Sequence, residues 1–287
     1  MVASYVLLLI LVFLSETALG MRPLSEIASG AGKATLIQPA RQKATILRTS
    51  TGAERRLLAN SFVEATDALG LATTLVGANS LLAVDASSVV YTGATSASGI
   101  FQLDGSHALN SEYGISSGVV LTCGSGELSI ETENLAESSF TINGEPGDSL
   151  LSQINNGTTN DASILDFKGT AQGNGQLTFQ YVFGSEEYLE YVDAFNDIFA
   201  LFVKVGNGAF TPRDNVALAS DGKAVSIDNV NPNSNAAQYV DNFADNSTHH
   251  IAYDGYTRLL TTAPISVSMG DTVHIRSNTK VKLTGLY

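Results

Sequence analysis

The chain has 287 residues, of which 44% are hydrophobic, and its formal net charge at pH 7 is −13. This length is enough to bury a substantial core. Residues 21–60 carry a net charge of +5, whereas residues 61–287 carry −17, which predicts a boundary near Ser61. The acidic part would repel phosphates and so excludes a nucleic-acid partner. Its single cysteine, Cys123, excludes an internal disulfide, so stability must come from burial.

The first segment, Met1–Gly20, has the features of a secretory signal peptide. Val6–Leu14 is an uninterrupted apolar run, and the small residues of Ala18–Gly20 after it suit cleavage. The run is shorter than the roughly 20 apolar residues that a membrane-spanning helix needs, and no later run is long enough either. We therefore expect an exported protein without a membrane span.

Residues 21–60 form a basic leader of low hydrophobicity, a composition that predicts disorder. A spacer or a propeptide is the simplest interpretation. Two tetrapeptides nevertheless resemble the leader motifs of secreted effectors of oomycete plant pathogens, in which Arg-x-Leu-Arg precedes an acidic-Glu-Arg motif. They are Thr45-Ile46-Leu47-Arg48, with Thr for the leading Arg, and Ala53-Glu54-Arg55-Arg56, with one acid missing. The resemblance implies delivery into a host cell.

From Ser61 to the end, the pattern favours a single domain built from short β-strands. One short helix is expected first, with Thr66 as its N-cap and its end at Gly77. Strand-like runs separated by turn dipeptides such as Asp104-Gly105 then follow. The expected strands include Leu81–Val84, Val89–Tyr91, Gly99–Leu103, Val119–Thr122, Leu128–Glu131 and Val267–Ile275, the last with a turn at Gly270-Asp271. This pattern predicts a mainly β protein, a β-sandwich or jelly roll, behind a disordered leader.

Gln176–Val205 is the most informative stretch. Alternating apolar and polar residues up to Phe183 predict a strand with one buried aromatic face, ended by Gly184. Ile198–Val203 predicts a strand buried on both faces. The connector between them is rich in carboxylates. Together with one acid later in the chain, they could supply the oxygen ligands that calcium prefers. The candidate ligands are Glu186, Glu187, Asp193, Asn196, Asp197 and Asp254. A solvated loop without a cation is the alternative.

The same stretch resembles the signature of the choice-of-anchor L domain, a family of modules found mostly in bacterial surface proteins. The matching blocks are residues 183–188 and 195–199, and further blocks at 117–122, 161–167, 225–230 and 253–257 agree in order. The resemblance covers roughly Ala65–Ile275 and implies a β-rich, secreted, non-enzymatic module. The family would continue into an Asp-rich loop and a last strand, whereas this chain continues with a basic tail. Either the tail has diverged, or Val281–Leu286 replaces the last strand.

Catalysis finds little support in the sequence. No Gly-x-Ser-x-Gly motif occurs, and neighbouring acids such as Glu186 and Glu187 project to opposite sides of an extended chain. The histidines are scattered along the chain: His107, His249, His250 and His274. Asn156 and Asn246 lie in glycosylation sequons. We therefore expect a glycoprotein that is not an enzyme.

Two functions remain, and both act by binding. The leader motifs favour a secreted pathogen effector that acts on a host protein and suppresses host defence or cell death. The alternative is an extracellular surface adhesion module that binds a glycan or a protein, with or without calcium. The host target lies beyond the sequence.

Overall fold

A computed structural model describes residues 60–65, 67–78, 80–130, 143–243 and 251–281, and the backbone of 6–11. Of residues 280 and 281 the backbone alone is described. The two leader motifs, Asn246, His249 and His250 lie outside these residues, so the predictions made for them stay predictions.

The described chain is mainly β, which confirms the predicted fold class. The strands are β1 Val6–Leu11, β2 Ser61–Glu64, β3 Leu82–Val84, β4 Val90–Thr92, β5 Ser98–Gln102, β6 Ser117–Thr122, β7 Asn160–Ala171, β8 Gly175–Leu177, β9 Gln180–Ser185, β10 Ile198–Val205, β11 Val225–Ser226, β12 Tyr239–Asp241, β13 Gly255–Thr257, β14 Leu260–Thr261, β15 Ile265–Val267 and β16 Thr272–Val281. The α-helices are α1 Ala68–Val76, α2 Ala108–Tyr113 and α3 Ser149–Ile154. Short 3₁₀ turns occupy Ala86–Ser88, Thr95–Ala97, Leu128–Ile130, Pro212–Asp214 and Ala236–Gln238.

Two antiparallel sheets stack to form a β-sandwich. The first sheet has the order β12-β13-β9-β1-β6-β5-β2, and β14 also pairs with β9. The second has the order β11-β10-β16-β7-β3, and β4 also pairs with β7. Strands β15 and β8 form a small separate ribbon. Strands distant in the chain are therefore neighbours in space.

The main core lies between the sheets and is aromatic. Tyr181 and Phe183 of β9 enter it from the first sheet, and Phe167 and Phe199 enter it from the second. The rings of Tyr181 and Phe199 meet edge to face, with their centroids 4.9 Å apart. Alternate residues of the same strands pack outward. Those of the first sheet, such as Val182, join a cluster on its far side that we call the outer cluster, and those of the second sheet, such as Phe202, join another on its own far side.

The strand predicted from Gln176 to Phe183 is divided in the structure. The chain forms β8 and then β9, with Phe179 between them donating its N–H to Thr262 Oγ1 at 3.1 Å. Gly184 does not end β9, because its backbone pairs with Tyr256 of β13. The aromatic face is buried as predicted. On the opposite face Thr178 and Gln180 are half-buried, and Val182 packs in the outer cluster. The predicted strand at Ile198–Val203 is confirmed as β10, buried on both faces.

Two other local predictions need correction. The helix is present as α1, but its described N-cap is Asp67, which accepts a hydrogen bond from Gly70 N at 2.6 Å; Thr66 lies outside the described residues. The helix ends at Gly77, where φ is 80°, as expected. The strand predicted at Leu128–Glu131 is instead a 3₁₀ turn, and the hydroxyls of Ser129 and Tyr253 lie 2.9 Å apart.

The basic C-terminal segment belongs to a central strand. The chain turns at Gly270, with φ of 89°, where the sequence predicts a turn within Val267–Ile275, and the segment is divided between two strands, β15 and β16. Strand β16 continues to Val281 between β10 and β7. A separate last strand at Val281–Leu286 falls almost wholly outside the described residues.

The N-terminal apolar run also lies within a sheet. Strand β1 pairs with β6, from Leu7 opposite Thr122 to Ile10 opposite Val119, and on its other side with β9. The secretory role of this segment stays a prediction, and the structure gives its apolar residues a place in the fold. None of the helices in the described parts of the chain is long and apolar enough to cross a membrane.

Candidate functional site

The acidic connector between β9 and β10 brings several predicted site residues together. We call residues 186–197, with Asp228 and Asp254, the acidic loop end. Glu186 Oε2 accepts a hydrogen bond from Asp254 N at 3.2 Å. Asp193 N donates to Asp228 Oδ1 at 2.7 Å, and Asp228 N donates to Asn196 Oδ1 at 3.3 Å. Backbone N–H groups thus link three parts of the chain that are distant in sequence.

The base of this loop is buried. Ser185 Oγ donates to Asp197 Oδ2 at 2.6 Å and accepts from Glu187 N at 3.0 Å. Asp197 is 0% exposed and Glu187 is 2% exposed. Tyr188 is fully buried beside them, and its ring centroid is 5.0 Å from that of Tyr239. Buried polar groups held by hydrogen bonds fix a unique conformation, so this base positions the residues above it.

Glu186 has a strongly perturbed acidity. Burial, and to a smaller extent the nearby charge of Asp254, raise its pKa to about 8, although the hydrogen bond from Asp254 N acts in the opposite direction. At pH 7 Glu186 is therefore mostly protonated, and the negative charge at this position is lower than the sequence suggests. Glu186 gains its charge only as the pH rises through about 8.

The tip of the loop combines backbone strain with exposure. Leu189 has φ of 70° and Asp193 has φ of 69°. This left-handed conformation is uncommon for any residue with a side chain and unfavourable for a bulky one such as leucine. Leu189 is also 43% exposed, and Glu190 next to it is exposed. Strained residues of this kind concentrate at binding sites.

The six predicted calcium ligands fall into three places. Glu186 lies against Asp254, Glu187 and Asp197 lie under the loop on Ser185, and Asp193 and Asn196 are joined through Asp228. Within the described ranges, no group of three or more His, Cys, Asp or Glu side chains is arranged to hold a metal ion. Calcium binding stays a prediction.

A second polar cluster, which sequence reasoning missed, lies where β16 pairs with β7. Arg276 donates to Asp148 Oδ2 at 2.6 Å and to Asp166 Oδ2 at 2.9 Å. His274 Nε2 lies 2.7 Å from Asp166 Oδ1. Asp148 also caps α3 by accepting from Leu150 N and Leu151 N. We call Arg276, Asp148, Asp166 and His274 the Arg276 cluster. The only signal in the sequence was Asp148 before an apolar run, which is typical of an N-cap.

The remaining predicted site is a sequon. Asn156 lies in the turn after α3 with φ of 50°, and its side chain is exposed. A glycan on this side chain would meet solvent. Glycosylation itself stays a prediction.

Comparison with known proteins gives one match. The family model of the Choice-of-anchor L domain matches residues 63–277, which is most of the chain. Neither the curated proteins nor the solved structures contain a match. The family indicates a secreted or cell-surface protein and an adhesion-type module. The match runs from within β2 to within β16 and includes the whole acidic loop end, and the chain belongs to the choice-of-anchor L domain family.

Proposed function

We propose that this chain is a non-enzymatic adhesion module, and that it binds a glycan or a protein through the acidic loop end. The observation that carries the function is the family match over residues 63–277. The family supports the surface-binding alternative of the sequence analysis over the effector.

Leu189 is the reason for choosing the acidic loop end as the binding face. It offers an apolar contact at a fixed position, with the exposed acids Glu190 and Asp193 close by in the chain. Protein interfaces usually have an apolar centre surrounded by a polar rim. Because Tyr188 and Asp197 hold the loop from below, little ordering entropy would be lost on binding.

The chemistry of the tip limits the kind of partner. Carboxylates accept hydrogen bonds from sugar hydroxyls or from basic side chains, and Leu189 can pack on the C–H face of a sugar or on an apolar residue. A calcium ion bridging Asp193 or Glu190 to hydroxyls of the partner is the finer form of this proposal, because calcium takes six to eight oxygen ligands from mixed sources. In that form the partner completes the coordination.

Binding of the purified chain to a glycan array and to whole cells tests the proposal. Leu189→Ala should weaken binding about 10-fold, the loss expected for a central contact. Leu218→Ala is the matched control, because Leu218 is 42% exposed and Leu189 is 43% exposed. Chelation of calcium tests the calcium-bridged form of the proposal, which predicts loss of binding when calcium is removed. Absence of binding, or equal losses in both variants, would contradict the proposal.

The effector stays a second candidate because of one observation, the pair of leader tetrapeptides at residues 45–48 and 53–56. They lie outside the described residues. Expression of residues 21–287 inside plant cells, with and without an elicitor of cell death, tests it. A reproducible change in cell death that persists in Leu189→Ala would favour the effector. No change, combined with binding to cells from outside, would leave the adhesion module.

A further inference from the structure

The gap between β6 and β9 in the first sheet is filled by a single strand. Strand β1 pairs over Leu7–Ile10 with β6 and over Val6–Leu11 with β9, and both pairings are antiparallel. Strands β6 and β9 therefore run parallel to each other, roughly 10 Å apart by ordinary strand spacing. The strands β9, β12, β13 and β14 on one side are joined to β6, β5 and β2 on the other through this one element.

The gap requires a strand that is apolar on both faces. At the rung of residue 8 the flanking residues are Leu121 and Phe183, which belong to the main core. At the rung of residue 9 they are Val120 and Val182, which belong to the outer cluster. Since successive residues of a strand face opposite sides, a strand inserted here meets apolar neighbours on each face. The composition of Val6–Leu11 satisfies this requirement.

The residues that fill the gap are those that the sequence predicts to be removed on export. Cleavage near Gly20 would leave β6 and β9 with unpaired backbone N–H and C=O groups facing each other, and such groups are costly when buried. We propose that the gap between β6 and β9 is a strand-acceptor groove, and that in the processed chain an extended apolar strand of a partner protein fills it. The partner strand would run antiparallel to both walls, as in other cases of strand addition. This inference is independent of the acidic loop end.

A strand-exchange experiment on the full chain tests the groove. A specific protease site is inserted between residues 21 and 59, so that the chain folds with β1 present and is cut afterwards. The cut protein is incubated just below its melting temperature with a fluorescent peptide that carries the Val6–Leu11 sequence between lysines. Native mass spectrometry should show one peptide replacing one cut segment. A control peptide with Asp at positions 8 and 9 should bind at least ~100-fold more weakly, because its charges would be buried.

Hydrogen exchange provides the second readout. Protein that has lost the cut segment should exchange the amides of β6 and β9 faster, and the peptide should restore their protection. Three results would overturn the proposal. The cut segment never exchanges, the control peptide binds as well as the apolar one, or β6 and β9 stay protected with no strand between them.

Discussion

The acidic loop end and the Arg276 cluster both gather carboxylates from distant parts of the chain, but they satisfy them differently. In the Arg276 cluster, Asp148 and Asp166 are bound by a guanidinium, and His274 adds a second contact. At the loop end, Glu186 accepts from a backbone N–H and Asp197 accepts from a hydroxyl. The Arg276 cluster therefore contains a cation of its own, whereas the acids of the acidic loop end accept hydrogen bonds from neutral donors.

This difference separates a structural role from a binding role. An arginine bound by two carboxylates joins β16 to β7 and to α3, and few of its N–H donors remain for a binding partner. The loop end keeps exposed acids and an exposed leucine on a base that is fixed from below. We therefore expect substitutions in the Arg276 cluster to change stability, and substitutions at the tip of the loop to change binding.

The largest expected effect is that of Arg276→Met, which leaves Asp148, whose side chain is 6% exposed, without its cation. Breaking a buried ion pair from one side costs about 3 kcal/mol in free energy of unfolding, measurable by urea denaturation. Lys204→Met is the control, because the Lys204–Asp214 pair is more exposed and should cost only about 0.5 kcal/mol. Adding Asp148→Asn to Arg276→Met should recover part of the loss. Equal effects in the two single variants would remove the contrast between this cluster and a surface ion pair.

The next effect is that of Ser185→Ala under the loop. It removes the hydroxyl that donates to Asp197 at 2.6 Å, in a place where both residues are 0% exposed. Loss of a hydrogen bond to a buried carboxylate costs about 2 kcal/mol in free energy of unfolding. Ser87→Ala, at an exposed site where Ser87 Oγ donates to Asp85, is the matched control and should have little effect. A neutral Ser185→Ala would mean that the base does not hold the loop.

A smaller effect of unusual sign is expected at Leu189. At ordinary positions alanine is more stabilising than glycine, but at φ of 70° glycine relieves strain that alanine keeps. The Leu189→Gly variant should therefore be more stable than Leu189→Ala by about 1 kcal/mol, by thermal or urea unfolding. Leu218 is not one of the described residues with a positive φ. The same pair of substitutions there should make the alanine variant the more stable one. The same order at both sites would contradict a strained tip.

The remaining prediction concerns the pH dependence of stability. Glu186 has a pKa of about 8 in the folded chain, against an ordinary value of 4.5. Between these values the folded chain binds a proton that the unfolded chain does not, so stability from this group falls as pH rises from about 5 to 9. In Glu186→Gln that fall should be absent, and urea denaturation at pH 5, 7 and 9 measures it. Parallel pH profiles for the two proteins would rule out the burial of Glu186.

The sequence predicted which helices and strands form better than it predicted which of them pack together. The run at Ile198–Val203 was read as a doubly buried strand because every residue in it is apolar, and α1 was expected from its spacing and from Gly77. The alternation up to Phe183 predicted the buried aromatic face, but it did not show what covers the other face, because burial of Val182 depends on Val120 and Tyr256, which are distant in the chain. Pattern along one strand shows which faces are apolar, but it does not show what covers them.

The sequence predicted which acids belong to the candidate site, but it did not predict how they are arranged. Its acids were recognised from the connector, but no local pattern indicated that Ser185 would donate a hydrogen bond to Asp197 or that Asp254 would reach Glu186. The pairing of Arg276 with Asp148 joins residues 128 positions apart and depends on the register of β16 against β7. Contacts of this kind follow from topology, which no local pattern contains.

Carboxyl footprinting tests the central claim most directly. The chain is labelled with a carboxyl-specific reagent, free and bound to the cells or glycan that it recognises, and the modified residues are counted by mass spectrometry. Binding through the loop end predicts that labelling of Glu190 and Asp193 falls on binding, while labelling of the exposed Glu64 on β2 does not change. Unchanged labelling of Glu190 and Asp193, with protection at Glu64, would contradict it.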